Sequence, residues 1–519
     1  MIDVISSLVK EVVGPQATVM PTERSEHGHY FTNAAFSAAK TSGEDPRKTA
    51  EKIIEKILSL APGGMFESIE IAGPGFINFT LSQKALAEEI KKAVEKGDNY
   101  GKGQLEKPKK IQVEFISANP TGPLTFGNGR GGPFGDVLSN IFSYLGNEVV
   151  KEYYVNDAGG QVLKLGRSVM GEEEAEYKGE YIEDIRRVVK TEGRDVKQVG
   201  ADAVEEVKNW LKKTVEENMG IAMDVWFSEK FLHENGTVDK VIDMLRSKGL
   251  VYENEGALWF KSSEFGDDKD RVIVKSDGEK TYFAGDIAYL WNKFEERGFD
   301  KVINIWGADH HGDVARVKGA FKALGLDGEF EILITQFVRL LKDGKEVRMS
   351  KRKGVYVTVD EVIEEIGKDA YRFLLLMYSP DSHIDFNMDV AKERSMENPV
   401  YYVQYAAVRA GNIVRKSAEA DIISGEDLSK LDTREDVALM HEISRFPDIV
   451  AEAGLQMKPE YLARYAVDIS KKFHAFYDKE RIIGEEPDTA SARLTLVKAS
   501  YQVFKNLFGI LGISLPDKM

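Results

Sequence analysis

The run from 111 to 160 restricts this chain to few folds, because it reads as strand, glycine-rich turn, helix and strand in direct succession. Ile111, Val113 and Phe115 alternate as a strand does. The turn-rich ANPTGPLTFGNGRGG follows, and Phe134, Val137, Leu138, Ile141, Phe142 and Leu145 then fall on one helical face. Gly146-Asn147 supplies a stop, and EVVKEYYV reads as the second strand. Two strands joined through a helix must run parallel, so this is a βαβ unit, the building block of a doubly wound parallel sheet.

The pattern on either side predicts three domains. Residues 1–105 read as a small α/β domain: Ile53, Ile54, Ile57 and Leu58 recur at helical spacing, and SIEIAGPGFINFTL reads as strand, Pro-Gly turn, strand. KGDNYGKGQLEKPKK (96–110) is polar, glycine-rich and basic, as a linker would be. Residues 106–390 then form the α/β domain of Rossmann type. Its sheet is interrupted at about 168–270 by an acidic stretch of mixed pattern, expected to be an inserted subdomain, and resumes with KVINIWGADHHG and FEILITQFVRLL. From 391 to 519 the pattern is helical and nearly free of strand signals, which predicts an all-α domain.

At 519 residues, 42% hydrophobic and 30% charged, the chain has ample material for such cores. No apolar run approaches 18 residues, so no membrane span is expected, and the amphipathic N-terminus lacks the basic segment of a signal peptide. The absence of cysteine excludes disulfides, thiolate metal sites and cysteine nucleophiles. A cytoplasmic location is the expectation. Net charge is −16, yet basic clusters occur at Lys107, Lys109 and Lys110 and again from Lys342 to Lys353. For nucleic-acid binding the local patch counts for more than the average.

Three segments carry chemistry. Gly122, Gly127, Gly129, Gly131 and Gly132 lie between a strand and a helix, where backbone N–H groups suit a phosphate. Their spacing matches neither a P-loop nor a dinucleotide fingerprint. VRMSKRKG (347–354) is a Gly/Lys segment whose Arg348, Lys351, Arg352 and Lys353 could clamp a triphosphate, or could simply form a basic surface loop. GADHHG (307–312) places Asp309, His310 and His311 at the end of a buried strand, where an open parallel sheet binds ligands. With no third ligand nearby, the histidine pair is not read as a metal site.

PTGPLTFGNGR resembles the P-T-G-P-L-H-V-G-H-G-R run of arginyl-tRNA synthetases, and RMSKR resembles the second motif of class I synthetases, K-M-S-K-S. The likeness continues through AGPGFINF, EYYVNDAGGQ, GEYI, TYFAGDIAY, INIWGADHHG, ENPVYYVQYA, FHAFY and the ending LGISLPDKM, in the family's order over essentially the whole chain. The resemblance implies ATP-dependent activation of L-arginine and transfer to the 3′ end of tRNA(Arg) for protein synthesis, with Mg²⁺ accompanying ATP and the protein acting as a monomer. It assigns Glu114, Ser117, Asn119, Tyr282 and Asp286 to arginine. Gly127, Gly307, Asp309, His310, Met349, Ser350 and Lys351 go to ATP, and Thr125, Asn128 and Lys351 to catalysis. The N-terminal domain would grip the tRNA D-loop through Phe76 and Asn78. The helical domain would bind the anticodon, with Tyr401, Gln404, Tyr405 and Arg409 as candidates.

One departure stands out. Both histidines of the family's H-x-G-H quartet are replaced, giving Thr125-Phe126-Gly127-Asn128. Thr and Asn can still donate hydrogen bonds to phosphate but cannot become cationic. Loss of a hydrogen bond to a charged group costs about 1.5–3 kcal/mol, roughly 10- to 100-fold in rate. Tryptophanyl-tRNA synthetases resemble this chain here, with T-x-G-N. Two other readings stay open: a non-catalytic tRNA-binding paralogue, and a nucleotidyltransferase that activates another carboxylic acid.

Overall fold

Strands among the described residues sort into four sheets, two of which sit beside the chemistry-bearing segments. The computed structural model describes residues 1–22, 27–103, 105, 107–173, 175–347 and 356–519. They fall into two compact units, Met1–Gly103 with Tyr401–Ile510 and Ser514–Met519, and Gln104–Val400 with Leu511–Ile513.

In the first unit β1 (Val19–Pro21), β2 (Tyr30–Thr32), β3 (Phe66–Ala72) and β4 (Phe76–Leu81) form an antiparallel sheet in the order β1-β2-β4-β3. β3 and β4 are the hairpin expected from the Pro-Gly turn. The helices Pro399–Glu419, Arg434–Ser444, Phe446–Gln456, Glu460–Lys479 and Pro487–Leu511 account for most of the C-terminal stretch. The sequence pattern separates the N-terminal and helical segments; the structure places them in one unit. Contacts widely spaced along the chain hold them: Tyr30 donates a hydrogen bond to Asp448 (2.7 Å), Lys505 pairs with Asp98 (2.9 Å), and the rings of His29 and His441 stack at 3.9 Å. Burial keeps both imidazoles neutral, lowering His29 to about 4 and His441 well below its ordinary value.

The second unit is built on a five-stranded sheet from β5 (Lys110–Glu114), β6 (Glu148–Val155), β7 (Val225–Ser228), β11 (Lys301–Gly307) and β12 (Glu329–Thr335). The order is β12-β11-β5-β6-β7 and all four pairings are parallel. Between β7 and β11 lies a small antiparallel sheet of β8 (Val251–Asn254), β9 (Ala257–Phe260) and β10 (Arg271–Val274). β13 (Val338–Lys342), β14 (Lys345–Glu346) and β15 (Ile384–Asn387) make a third.

The expected insertion at about 168–270 therefore has to be divided. Its middle supplies β7, the edge strand of the main sheet, pairing Glu152–Val155 with Val225–Ser228. Four residues are too short to show periodicity among flanking helices, yet the aromatic rings of Trp226 and Tyr153 stack at 4.3 Å and tie the strand in.

Helix Gly131–Tyr144 packs against β5, β6 and β11. Its approach depends on Gly135: a Cβ there would lie 2.2 Å from Cγ of buried Phe115. On a hydrophobic core around Phe227, Val302 and Phe330 rests helix Tyr282–Trp291, through Phe283, Ile287 and Leu290. That helix continues as a π-helical turn, Asn292–Glu296.

Candidate active site

The carboxyl end of β5 is where the backbone leaves regular structure. Ile116 and Ser117 both have positive φ (68° and 40°), a conformation that non-glycine residues adopt at an energetic cost and mostly where function fixes the backbone. The bend turns the Ser117 hydroxyl back so that it accepts from the Tyr154 N–H (3.1 Å) and donates to Glu114 (3.2 Å). Asn119 lies exposed just beyond.

Glu114 is the last residue of β5 and is buried. Its second oxygen accepts from the Lys293 ammonium at 2.6 Å, and that ammonium also donates to Asn304 (3.0 Å). Across the neighbouring strand, helix Tyr282–Trp291 brings in Tyr282 and Asp286. Tyr282 is half exposed, its hydroxyl over the Gly159–Gly160 turn. Asp286 is partly buried, and its carboxyl is pushed up to about 7, first by burial and then by the charges of Glu229 and Glu114, against the pull of Arg316. The Tyr154 hydroxyl is raised well above its usual value by burial and by Glu229, Asp286, Glu114 and Asp157. The charges of four carboxylates thus act on one tyrosine of β6.

Glu229 was not singled out in the sequence. It follows β7 directly and is 3% exposed. Its Oε2 has no hydrogen-bond partner among the described residues, and Oε1 lies where a Cβ on Gly285 would meet it at 3.1 Å. A buried ionisable oxygen without a donor is expensive, which points to a donor supplied by a ligand. The signal was hidden because a lone acid after a four-residue strand reads as a helix start. Lys293 was missed for the opposite reason, since NKFEERGFD reads as a solvated face.

The signature turn follows the bend after β5 in the chain. Thr125 is buried and precedes the short helix Phe126–Gly129, while Gly127 and Asn128 are exposed, with open space at Gly127. Leu124–Phe126 pairs with the residues after 355: the Phe126 N–H donates to Val357 O and the Val359 N–H to Leu124 O, both 2.9 Å, around a Thr125–Thr358 bridge. Arg130 follows immediately, buried, its guanidinium donating to the carbonyls of Gln336 and Ser379 (3.0 Å to the latter). Burial lowers it to about 10. Met349, Ser350 and Lys351 lie outside the described residues. After β11, Gly307 leads into a 3₁₀ turn on which Asp309 and His310 are exposed, the imidazole 3.4 Å from Asp313.

The residues expected to meet tRNA sit in the first unit. Phe76 and Asn78 share one face of β4, with Phe31 and Phe36 at 6.2 and 5.1 Å from the Phe76 ring. On helix Pro399–Glu419 the Tyr401 and Tyr405 rings stack at 6.0 Å, and Arg409 lies between Tyr405 and Tyr477, 4.4 Å from each. Gln404 does not join them. It is buried and its amide donates to the Ser514 carbonyl (2.9 Å), so a base could reach it only by displacing Ser514.

Residues 403–519 match the model of the DALR anticodon binding domain, and 2–81 that of the arginyl tRNA synthetase N terminal domain. Residues 187–377 match the catalytic domain of tRNA synthetases class I (R), a span that begins after the Thr125–Asn128 turn. An arginine–tRNA ligase of Heliobacterium modesticaldum is 42% identical over 98% of this chain and 94% of its own. One from Caldanaerobacter subterraneus is 44% identical over 96% and 93%. The fold is shared with Thermus thermophilus arginyl-tRNA synthetase, with TM-score 0.79 over the whole of both chains at 21% identity. No described helix is long and apolar enough to cross a membrane. On the strength of full-length identity above 40% and three family domains in order, the chain belongs to the arginyl-tRNA synthetases, class I.

Proposed function

We propose that this chain activates L-arginine with ATP and Mg²⁺ and esterifies it to tRNA(Arg), using Glu114, Glu229, Tyr282 and Asp286 to select the amino acid. The observation that carries the assignment of residues is the carboxylate group around Tyr154, with the unpartnered oxygen of Glu229. A guanidinium offers five N–H donors in a planar fork and never loses its charge, so it can serve several carboxylates at once. Lysine would bring a single ammonium and citrulline no charge. Ser117 and Asn119, on the bend after β5, suit the substrate α-amino group.

In the first step a carboxylate oxygen of arginine attacks the ATP α-phosphorus, and the bond to pyrophosphate breaks. Mg²⁺ arrives with ATP as part of the substrate. The open space at Gly127 and the exposed Asn128 amide suit the phosphates, with Thr125 shaping the turn. Asp309, His310 and Gly307 border the nucleotide from the end of β11. Lys351, with Met349 and Ser350, is assigned to the triphosphate from its sequence motif alone. In the second step the 2′-hydroxyl of the terminal adenosine attacks the acyl carbon and AMP leaves. Neither step needs a protein nucleophile, so positioning and electrostatics supply the rate.

Recognition of tRNA is assigned to the first unit: Tyr401, Tyr405 and Arg409 with the anticodon, through stacking, and Phe76 and Asn78 with an unpaired D-loop base. Gln404 joins the anticodon group only if Ser514 gives way. We place the enzyme in the cytoplasm, as a monomer.

ATP–pyrophosphate exchange with and without tRNA tests this directly. Arginine-dependent exchange, strengthened by tRNA, is expected. Glu229→Gln should raise the KM for arginine about tenfold or more while leaving that for ATP within about twofold. No exchange in either condition contradicts the activity, and exchange driven by another amino acid contradicts the specificity.

A further inference from the structure

Lys293 is a fully buried lysine in a position that the reaction, as described, leaves unused. Its side chain has no exposed surface, its ammonium lies 2.6 Å from Glu114 and 3.0 Å from Asn304, and it sits 3.9 Å above the centre of the Tyr289 ring. Burying an ammonium is expensive unless a partner compensates it, and such groups are kept where they hold something else in place. The backbone is irregular at the same point. Lys293 lies in the π-helical turn Asn292–Glu296, where the Arg297 N–H donates to Asn292 O (2.9 Å) and the Phe299 N–H to Lys293 O (3.2 Å). Turns of this kind insert a residue into a helix, redirect a side chain and concentrate at functional sites.

The same helix carries Asp286, seven residues earlier and two turns away. It therefore presents an acid at the carboxyl edge of the sheet and, deeper along the same face, a cation. Glu114, at the end of β5, has one oxygen on Ser117 and the other on Lys293.

We propose that Lys293 is a positioning residue for arginine recognition, its ammonium fixing the orientation of the Glu114 carboxylate at the carboxyl edge of the sheet. This rests on the reading of Glu114, Asp286 and Glu229 as the arginine site. The charges of Glu229 and Glu114 act on Asp286, and the cations Arg316, acting on Asp286, and Lys293, on Glu114, oppose that repulsion. With Lys293 on one oxygen and Ser117 on the other, the orientation of Glu114 is set before the substrate enters. Without the ammonium, Glu114 is free to swing away, and the pocket loses an acceptor placed for the guanidinium.

Full-length enzyme with tRNA and saturating ATP serves for the test, measuring kcat and KM for arginine, KM for ATP and the melting temperature of each variant. Lys293→Met, which keeps the length and removes the charge, should raise the KM for arginine about 10- to 100-fold with the KM for ATP within about twofold. Lys293→Arg should recover most of that loss. The double variant Glu114→Gln/Lys293→Met should be no worse than Glu114→Gln alone, because the lysine acts through the carboxylate. Additive losses in the double variant, or an arginine KM unmoved by Lys293→Met, would overturn the proposal. If Lys293→Met does not fold, Lys293→Arg decides: a KM for arginine raised as much as in Glu114→Gln would overturn it. The site reading fails separately, if Asp286→Asn and Glu229→Gln leave the KM for arginine unchanged.

Discussion

Asp286 stands near Glu229 and Glu114, and burial with those charges raises its carboxyl to about 7. Below that pH the group is largely protonated and cannot pair with a guanidinium. Affinity for arginine should therefore fall as pH drops from 8 to 6, approaching tenfold per unit at the acid end. Binding near pH 7 should release protons, which calorimetry in two buffers of different ionisation enthalpy can count. A KM for arginine that is flat from pH 6 to 8 would contradict this. The same shift acts on stability with a definite sign. Because the folded pKa lies above the unfolded value of 3.8, the folded state binds more protons between them, and stability from this group is lost as pH rises toward 7. Asp286→Asn should accordingly melt higher than the parent at pH 8 while using arginine poorly. Of the residues proposed for arginine, Asp286, Tyr282 and Glu114 drew notice in the sequence because they sit in strings that resemble the family's. Glu229 and Lys293 could not, since their meaning comes from burial and from groups on other elements, such as Gly285 beside Glu229 and Glu114 beside Lys293.

At the scale of elements, β5, the glycine turn, helix Gly131–Tyr144 and β6 were legible because alternation, a helical stripe and a stop signal all agreed. β7 was not, having only four residues inside a helical, acidic stretch. Nor does sequence reveal that the turn at Thr125 is braced by Val357 and Val359, a pairing across more than 230 positions that sets the residues following 355 against the signature turn. Packing accounts for part of the glycine run, since a Cβ at Gly129 would lie 2.3 Å from Val359 and one at Gly132 2.3 Å from Met219, and it accounts for a further glycine beyond it. Gly135 lets helix Gly131–Tyr144 lie directly on Phe115, beneath the bend that carries Ser117. Gly135→Ala should lower unfolding stability by about 1–3 kcal/mol through overpacking, as read by urea titration with an unchanged slope. A loss under about 0.5 kcal/mol would mean that the helix can shift at little expense.

At the scale of the molecule, the two units divide the work. One carries the carboxylates and the signature turn, the other the two aromatic groups assigned to tRNA. The union of the N-terminal and helical segments in a single unit was not legible, because it depends on pairs such as Tyr30 with Asp448 that no local pattern records. On the proposed reading Thr125 and Asn128 serve ATP rather than arginine, so the replaced histidines of the quartet would bear on rate and not on selection. The most direct measurement is charging of a total tRNA pool with each of the twenty amino acids in turn, ATP and Mg²⁺ present. Arginine alone should become acid-precipitable, on tRNA(Arg), with the charging lost when ATP is omitted. Stable charging by another amino acid, or none by arginine under conditions where the protein remains folded and binds tRNA, would contradict the assignment.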